Sequence, residues 1–328
     1  GGRNLPRQRP DQHAESTLTR GQAMAGIHIG ISGWRYAPWR GDFYPKGLTQ
    51  KKELRFASRA VSSIEINGSF YSLQTPERYA DWYEDTPEGF VFSIKGPRYI
   101  THIRRLNEVE KPLANFFASG IFQLKEKMGP ILWQFPPSFK FDPELFESFL
   151  RQLPHDSEAA LAIAKGCEPR MEGRSYLAID RKRPMRHAVE IRHTSFVDPV
   201  FVDLLRKYRV ALVVADTAGK WPHQEDLTSD FVYIRLHGAE ELYTSGYTDA
   251  ALDDWCQRIR RWSEGSQPDD ARLISEKKPR ARRSRDVYCY FDNDVKVRAP
   301  YDARQLLRRL GLDEQLQATP GQLEGAMV

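Results

Sequence analysis

Two periodicities alternate along this chain. Short runs rich in β-branched and aromatic residues recur. Each is followed by a polar or Gly/Pro-rich loop, and most are then followed by a stretch whose apolar residues fall at helical spacing. The β-runs are residues 27–34 (IHIGISGW), 63–70, 90–96 (FVFSIKG), 130–135 (PILWQF), 188–193 (AVEIRH), 210–216 (VALVVAD), 231–238 (FVYIRLHG) and 287–292 (VYCYFD). Helices are predicted over 51–60, 76–85, 112–128, 143–153, 199–208, 249–263 and 301–310, with Asp142, Asp198 and Thr248 in N-cap positions. Only the connection after Asp216 is short on helix. Eight strands alternating with helices over roughly 300 residues give an α/β fold and a (β/α)8 TIM-type barrel. A doubly wound open sheet is the runner-up, but no GxGxxG follows the first strand.

The barrel spans residues 27–312 as a single domain. Two segments, about 155–186 and 266–285, exceed ordinary connections and read as insertions. The first carries a helical SEAALAIAKGC and ends in Arg181-Lys182-Arg183; the second bears Arg280, Arg282, Arg283 and Arg285. Residues 1–26 are polar, Arg-rich and without an apolar core, so they read as a disordered arm or a cloning remnant rather than a secretory signal. Residues 313–328 read as a flexible tail.

Strand parity supplies the candidate chemistry, and 61–71 (VSSIEINGSFY) shows how. Glu65 and Asn67 lie two apart, so on a strand they share a face. Ser93 and Lys95 do the same on the third strand. Gln134, then Glu190 and Arg192, then Asp216, follow on the fourth to sixth. Arg235 and His237, then Tyr290 and Asp292, come last, and the first strand gives Ser32 and Trp34. The alternate positions are apolar: Ile64, Ile66, Val91, Ile94, Phe135, Val189, Ile191, Val213, Ile234, Leu236 and Phe291. In a barrel the apolar set packs on the helices. The polar set points inward near the C-terminal strand ends, where such barrels keep their sites. Pairs such as Glu190 with Arg192, or Glu65 with Lys95, could instead merely satisfy each other. Contributions from all the strands favour a ligand pocket.

Composition narrows the partners. The chain is 40% hydrophobic and 28% charged, ordinary for a globular protein. No apolar run approaches the ~20 residues of a membrane helix. A net charge of +5 and a pI near 9.0 favour anionic partners. Cys167, Cys256 and Cys289 are scattered, which suits reduced thiols in a cytoplasm.

Lys95, Arg98, Arg192 and Arg235 would place several cations at the mouth, favouring a phosphate or carboxylate ligand. Trp34, Tyr36, Trp39, Phe43, Tyr44, Phe70 and Tyr71 either stack on a base or sugar or plug the barrel top. His193 and His237 could ligate a divalent metal with Glu65, Glu190, Asp216 or Asp292. No HxH or HExxH spacing supports that, so a neutral histidine donating to a carboxylate is the expectation.

A family resemblance rests on the following segments: Ile29-Gly30-Ile31-Ser32-Gly33-Trp34, Trp39-Arg40-Gly41, Phe43-Tyr44-Pro45, Val61 to Tyr71, Lys95-Gly96-Pro97-Arg98 with Ile100-Thr101-His102, Leu132-Trp133-Gln134-Phe135-Pro136-Pro137, Glu190-Ile191-Arg192-His193, Ala215-Asp216-Thr217, Tyr233-Ile234-Arg235-Leu236-His237-Gly238 and Tyr290-Phe291-Asp292-Asn293-Asp294. In these the chain resembles the DUF72 or YecE-like proteins. The resemblance implies a TIM-type barrel and no established reaction. The family often reads Phe-Asn-Asn-Asp at the eighth strand. Here Asp292 replaces the first Asn and adds a carboxylate at the mouth, a departure that argues against carrying over amide-based recognition there.

Three functions compete. The first is hydrolase, lyase or isomerase chemistry on a small phosphorylated or sugar-like anion. Glu65 or Glu190 would be the base, His237 or Asp292 would move protons, and Asp216 would complete the acidic set. Ser32, Trp34, Asn67, Tyr71, Gln134 and Asn293 would bind substrate with the cations. The second is nucleic-acid binding or metal-assisted phosphodiester cleavage on a scaffold resembling endonuclease IV, gripped by the basic insertions. The third is a non-catalytic ligand carrier.

Overall fold

The structure is a computed structural model that describes residues 26–242, 245–295 and 297–323. Eight strands form the barrel: β1 Ile27–Ser32, β2 Ser63–Ile66, β3 Val91–Lys95, β4 Met128–Gln134, β5 His187–Glu190, β6 Ala211–Asp216, β7 Phe231–Leu236 and β8 Asp286–Phe291. All pair in parallel in chain order, and β8 closes on β1 through Ile27↔Val287 to Ile31↔Phe291. The predicted barrel is the observed one.

The helices are α1 Glu53–Ala60, α2 Pro76–Asp85, α3 Glu110–Ala118, α4 Pro143–Gln152, α5 Ser157–Ala164, α6 Pro199–Lys207, α7 Asp249–Ser263 and α8 Arg298–Arg309. Several start as their sequences dictate. Asp142, Asp156, Asp198 and Thr248 each accept a bond from a backbone N–H of the first turn, and Pro76, Pro143 and Pro199 sit where no N–H is needed. The helix expected over 112–128 is broken. Gly120 has φ +119°, and a Cβ there would lie 2.4 Å from Pro76 Cα, so the chain turns and continues as a 3-10 segment, Ile121–Lys127.

Outward residues of the strands, among them Ile64, Ile94, Trp133, Val189, Ile234 and Phe291, pack beneath the helices in one core. Inside the barrel a second cluster fills the base: Leu132, Ala188, Ala211, Val213, Ala215, Phe231, Tyr233, Tyr288 and Tyr290, with Val91 against it. Two expectations are corrected here. Val91 and Val213 point inward rather than toward the helices. β6 presents Ala211, Val213 and Ala215 to the interior, so not every strand contributes polar groups there. The apolar plug ends where Tyr233 and Tyr290 meet the hydroxyls of Ser93 (2.7 Å) and Ser63 (2.8 Å). The polar layer begins at that height.

No helix joins β6 to β7, in line with the short gap seen in the sequence. The 266–285 insertion packs onto that connection instead. Glu225 N bonds Arg272 O at 2.8 Å, and the Asp226 carboxylate accepts from Ile274 N and Ser275 N at 2.8 and 3.0 Å. The other insertion lays α5 against α3 and exchanges bonds between Asn115 and Glu168.

The described part of the expected tail is fastened down. Gln317 N and Ala318 N bond Arg59 O, and Gly321 N bonds Phe43 O. The arm expected over 1–26 lies, apart from Gly26, outside the described residues. Among those residues no helix is long and apolar enough to cross a membrane.

Candidate active site

Arg235 is the penultimate residue of β7, points inward and is fully buried. Its guanidinium reaches three carboxylates. Nε and Nη2 fork onto Glu65 at 3.1 and 2.7 Å, Nη1 donates to Glu190 at 2.9 Å, and Nη2 also approaches Asp292 at 3.3 Å. Barrel register creates the convergence. Glu65 lies level with Ser32 and Ser93, Gln134 with Glu190, and Arg235 with Tyr290.

The remaining valences are filled. Ser32 Oγ donates to Glu65 at 2.7 Å, Tyr233 OH donates to its other oxygen, and Asn67 Nδ2 donates to Ser32 Oγ at 2.8 Å. Glu190 also accepts from Gln134 Nε2 and Arg192 Nε, both at 3.1 Å. His237 bridges Glu190 (3.2 Å) and Asp292 (2.9 Å).

These contacts set the protonation states. Burial alone would neutralise Glu190, but Arg235, His237 and Arg192 outweigh it and hold the carboxyl well below the usual range. Burial also opposes charge on Asp292, and Arg235 and His237 again prevail to lower its pKa. For His237 burial favours the neutral ring, yet Glu190 and Asp292 raise its pKa. Both ring nitrogens face carboxylates, so the shift is toward the protonated ring. Arg235 occupies the centre that a cation among these carboxylates would need. Among the described residues no group of three His, Cys, Asp or Glu side chains is arranged to hold a metal.

Above this network lies a cleft of about 1580 Å³. Asn67, Lys95, Gln134, Arg192 and Asp292 reach it from the strand ends, and Trp34, Phe70, Tyr71 and Arg98 stand around them. It continues over α2 past Arg78, Asp81 and Trp82. Trp34 meets Trp82 edge-on at 5.3 Å, and Tyr71 is 71% exposed at the rim. Arg192 lies over the Trp221 ring, 3.9 Å from its centroid. Arg98 is exposed and makes no ion pair among the described residues.

Lys95 ends β3 and is 7% exposed. Its ammonium has no hydrogen-bond or ion-pair partner among the described residues and sits 4.0 Å from the centre of the Phe70 ring. Burial, then the nearby Arg235 charge, lower its pKa to about 8 against the pull of Asp292, Glu65 and Glu190. The backbone behind it is pinned. Ser69 Oγ donates to Lys95 O at 2.6 Å, and Trp133 lies so close to Gly96 that a Cβ there would fall 2.4 Å from its ring.

Other expected residues stand elsewhere. Glu65, Glu190, Arg235, His237 and Ser32 lie beneath the cleft and do not line it, and every oxygen of Glu65 and Glu190 meets at least two hydrogen-bond partners. Asp216 does not join them. The inward residue of its strand end is Ala215, so Asp216 faces the other way and accepts from Tyr247 OH (3.1 Å) and Ala218 N (3.3 Å). Asn293 lies behind β8, where its amide donates to Ser245 O and Asp302. His193 caps a turn through Ser195 rather than facing the cleft. Trp39, Phe43 and Tyr44 belong to the core.

Tyr36, expected among the aromatics of the mouth, lines the cleft, and so do Asp294, His102 and Arg35, which the candidate set left out. Asp294 had a signal in its spacing of two from Asp292. Burial, then the Asp292 charge, raise its pKa to about 6. Burial, then Lys95, lower that of His102 to about 4. The basic insertions are partly committed internally. Arg285 is 4% exposed and donates to Ser229 O, Gly265 O and Arg280 O, while Arg183 pairs with Asp180 at 2.6 Å.

A family model described as "Protein of unknown function DUF72" matches residues 28–324. The UPF0759 protein YecE of Escherichia coli K12 is 24% identical over 251 residues, which span 74% of this chain and 84% of YecE. The UPF0759 protein YunF of Bacillus subtilis is 31% identical over 121 residues, 34% of this chain and 41% of YunF, so that match spans less than half of the relative. Among solved structures, the DUF72 family protein TM1631 from Thermotoga maritima aligns with TM-score 0.65 and 22% identity over 87% of this chain and 99% of that one. The DUF72 family protein EF0366 from Enterococcus faecalis aligns with TM-score 0.62 and 18% identity over 91% and 100%. These two likenesses support the barrel.

Proposed function

The chain belongs to the DUF72 family, whose description carries no reaction, and from that premise we propose that it is an enzyme performing acid–base chemistry on a small anionic ligand held over Lys95 and Asp292. The observation that supports this most is the solitary Lys95. Burying a charge is costly unless it is paired. The other buried charged side chains of the described residues have partners: Glu53 has Arg40, Lys127 has backbone carbonyls, Asp226 has backbone amides, and the Arg235 network is complete. Among the described residues Lys95 has only an aromatic face, and its side chain opens on the cleft. A ligand anion is the partner this arrangement lacks.

Arg98 and Arg192 add donors suited to a phosphate or carboxylate. Asp292 is the member of the buried network whose carboxylate opens on the cleft, and Arg235 and His237 fix its position. Asp294, poised near pH 6, has the proton affinity that a general acid or base needs at neutral pH. Glu65 and Glu190 are positioning residues in this scheme, because they orient Arg235 and His237.

Calorimetric titration with inorganic phosphate at low ionic strength tests the reading. We expect one site, weakened at least tenfold in the Arg98→Ala/Arg192→Ala double variant. Absence of phosphate binding, or binding unchanged in that variant, would contradict it.

A further inference from the structure

Lys95 invites a second question, which rests on the reading above: why a lysine at the deepest point of an anion site that already has arginines. A guanidinium keeps its charge permanently and grips oxyanions with a planar fork, so it serves pure binding better. An amine that is desolvated and set beside other cations can lose its proton and become a nucleophile. Lys95 meets those conditions. It is 7% exposed, opens on the cleft, has no hydrogen-bond or ion-pair partner among the described residues, and lies within the field of the buried Arg235.

We propose that Lys95 is a covalent nucleophile whose ε-amine condenses with the aldehyde or ketone carbon of a small anionic carbonyl compound to form an imine. The balance is simple. The amine lone pair forms the C–N bond while the carbonyl π pair moves to oxygen, which takes up a proton. The resulting carbinolamine receives a second proton on its oxygen and expels water as the nitrogen lone pair forms C=N. The nitrogen gives up its surplus proton in between. No oxidant or reductant enters. Asp292 and Asp294 line the same cleft and supply and collect these protons. Arg98 and Arg192 hold the anionic end, which fixes the carbonyl over the amine. A pKa near 8 leaves an appreciable neutral fraction of Lys95 at neutral pH, and release from the Phe70 ring accompanies loss of its proton. The substrate class is thereby narrowed to anionic aldehydes and ketones, namely oxo acids or sugar phosphates.

The test is reductive trapping on the full chain. Wild-type protein is incubated separately with glyoxylate, pyruvate and glyceraldehyde 3-phosphate at pH 7, reduced with borohydride, and mapped by peptide mass spectrometry. We expect one adduct per chain, on the peptide carrying Lys95, for at least one of these probes. It should form at least tenfold faster than on any other lysine and be slowed by inorganic phosphate. Lys95→Arg should lose that adduct. The wild-type map is decisive by itself if the variant does not fold. Adducts spread over exposed lysines with Lys95 unmodified would overturn the imine. If phosphate still binds in that case, only the imine falls; if phosphate does not bind either, the anion site falls with it.

Discussion

At the scale of single residues, Arg235 and Lys95 are opposites. Both are buried cations at strand ends, but one carries three carboxylates and the other carries none. Arg235→Met leaves Glu65 and Glu190 buried without their counter-charge and should cost about 3–5 kcal/mol, read as a lowered urea midpoint with unchanged slope. Lys95→Met removes a buried charge that has no ion-pair partner among the described residues. It should leave stability within about 1 kcal/mol of wild type or raise it, while abolishing phosphate binding. Asp294 adds a pH dependence. Its folded pKa of about 6 stands above the ordinary aspartate value of 3.8, so the fold favours its protonated form and ionisation costs stability. Asp294→Asn should therefore be more stable than wild type at pH 7 to 8. The gain should shrink as pH falls through 6 and vanish below about 4, and thermal melts across that range would show it. Parity found Glu65, Lys95, Glu190, Arg235, His237 and Asp292 because the strand period of two is rigid. It failed at Asp216, where the last residue of β6 was counted as inward although Ala211, Val213 and Ala215 hold that face.

At the scale of elements, the strands were legible because their β-branched runs are short and sharply bounded. Helix starts were legible where Asp or Thr precedes a proline or an apolar period. The split of the 112–128 stretch was not, because its apolar spacing continues across Gly120 and only the approach of Pro76 shows why glycine stands there. Gly120→Ala would meet both a left-handed φ and a backbone clash. We expect a loss of about 1–3 kcal/mol by urea unfolding. The 266–285 insertion was visible as a charged segment, but not its role. Its backbone and Arg285 support the connection that lacks a helix, which accounts for a buried arginine in a run that reads as solvated.

At the scale of the molecule, an apolar plug fills the lower barrel and a charge-balanced layer lies over it. A cleft then opens at the strands' C-terminal ends, where, among the described residues, neither the buried Lys95 nor the exposed Arg98 has an ion-pair partner. The plug and the paired layer hold the scaffold, and Lys95 opens on the cleft above them. Its titration is the most direct measure of this account. With the lysines carrying ¹³C-labelled methyl groups, NMR should show Lys95 titrating near pH 8 in the free protein and moving upward when saturating phosphate supplies the missing negative charge. A Lys95 that titrates at its ordinary value of 10.5 and does not respond to phosphate would contradict it.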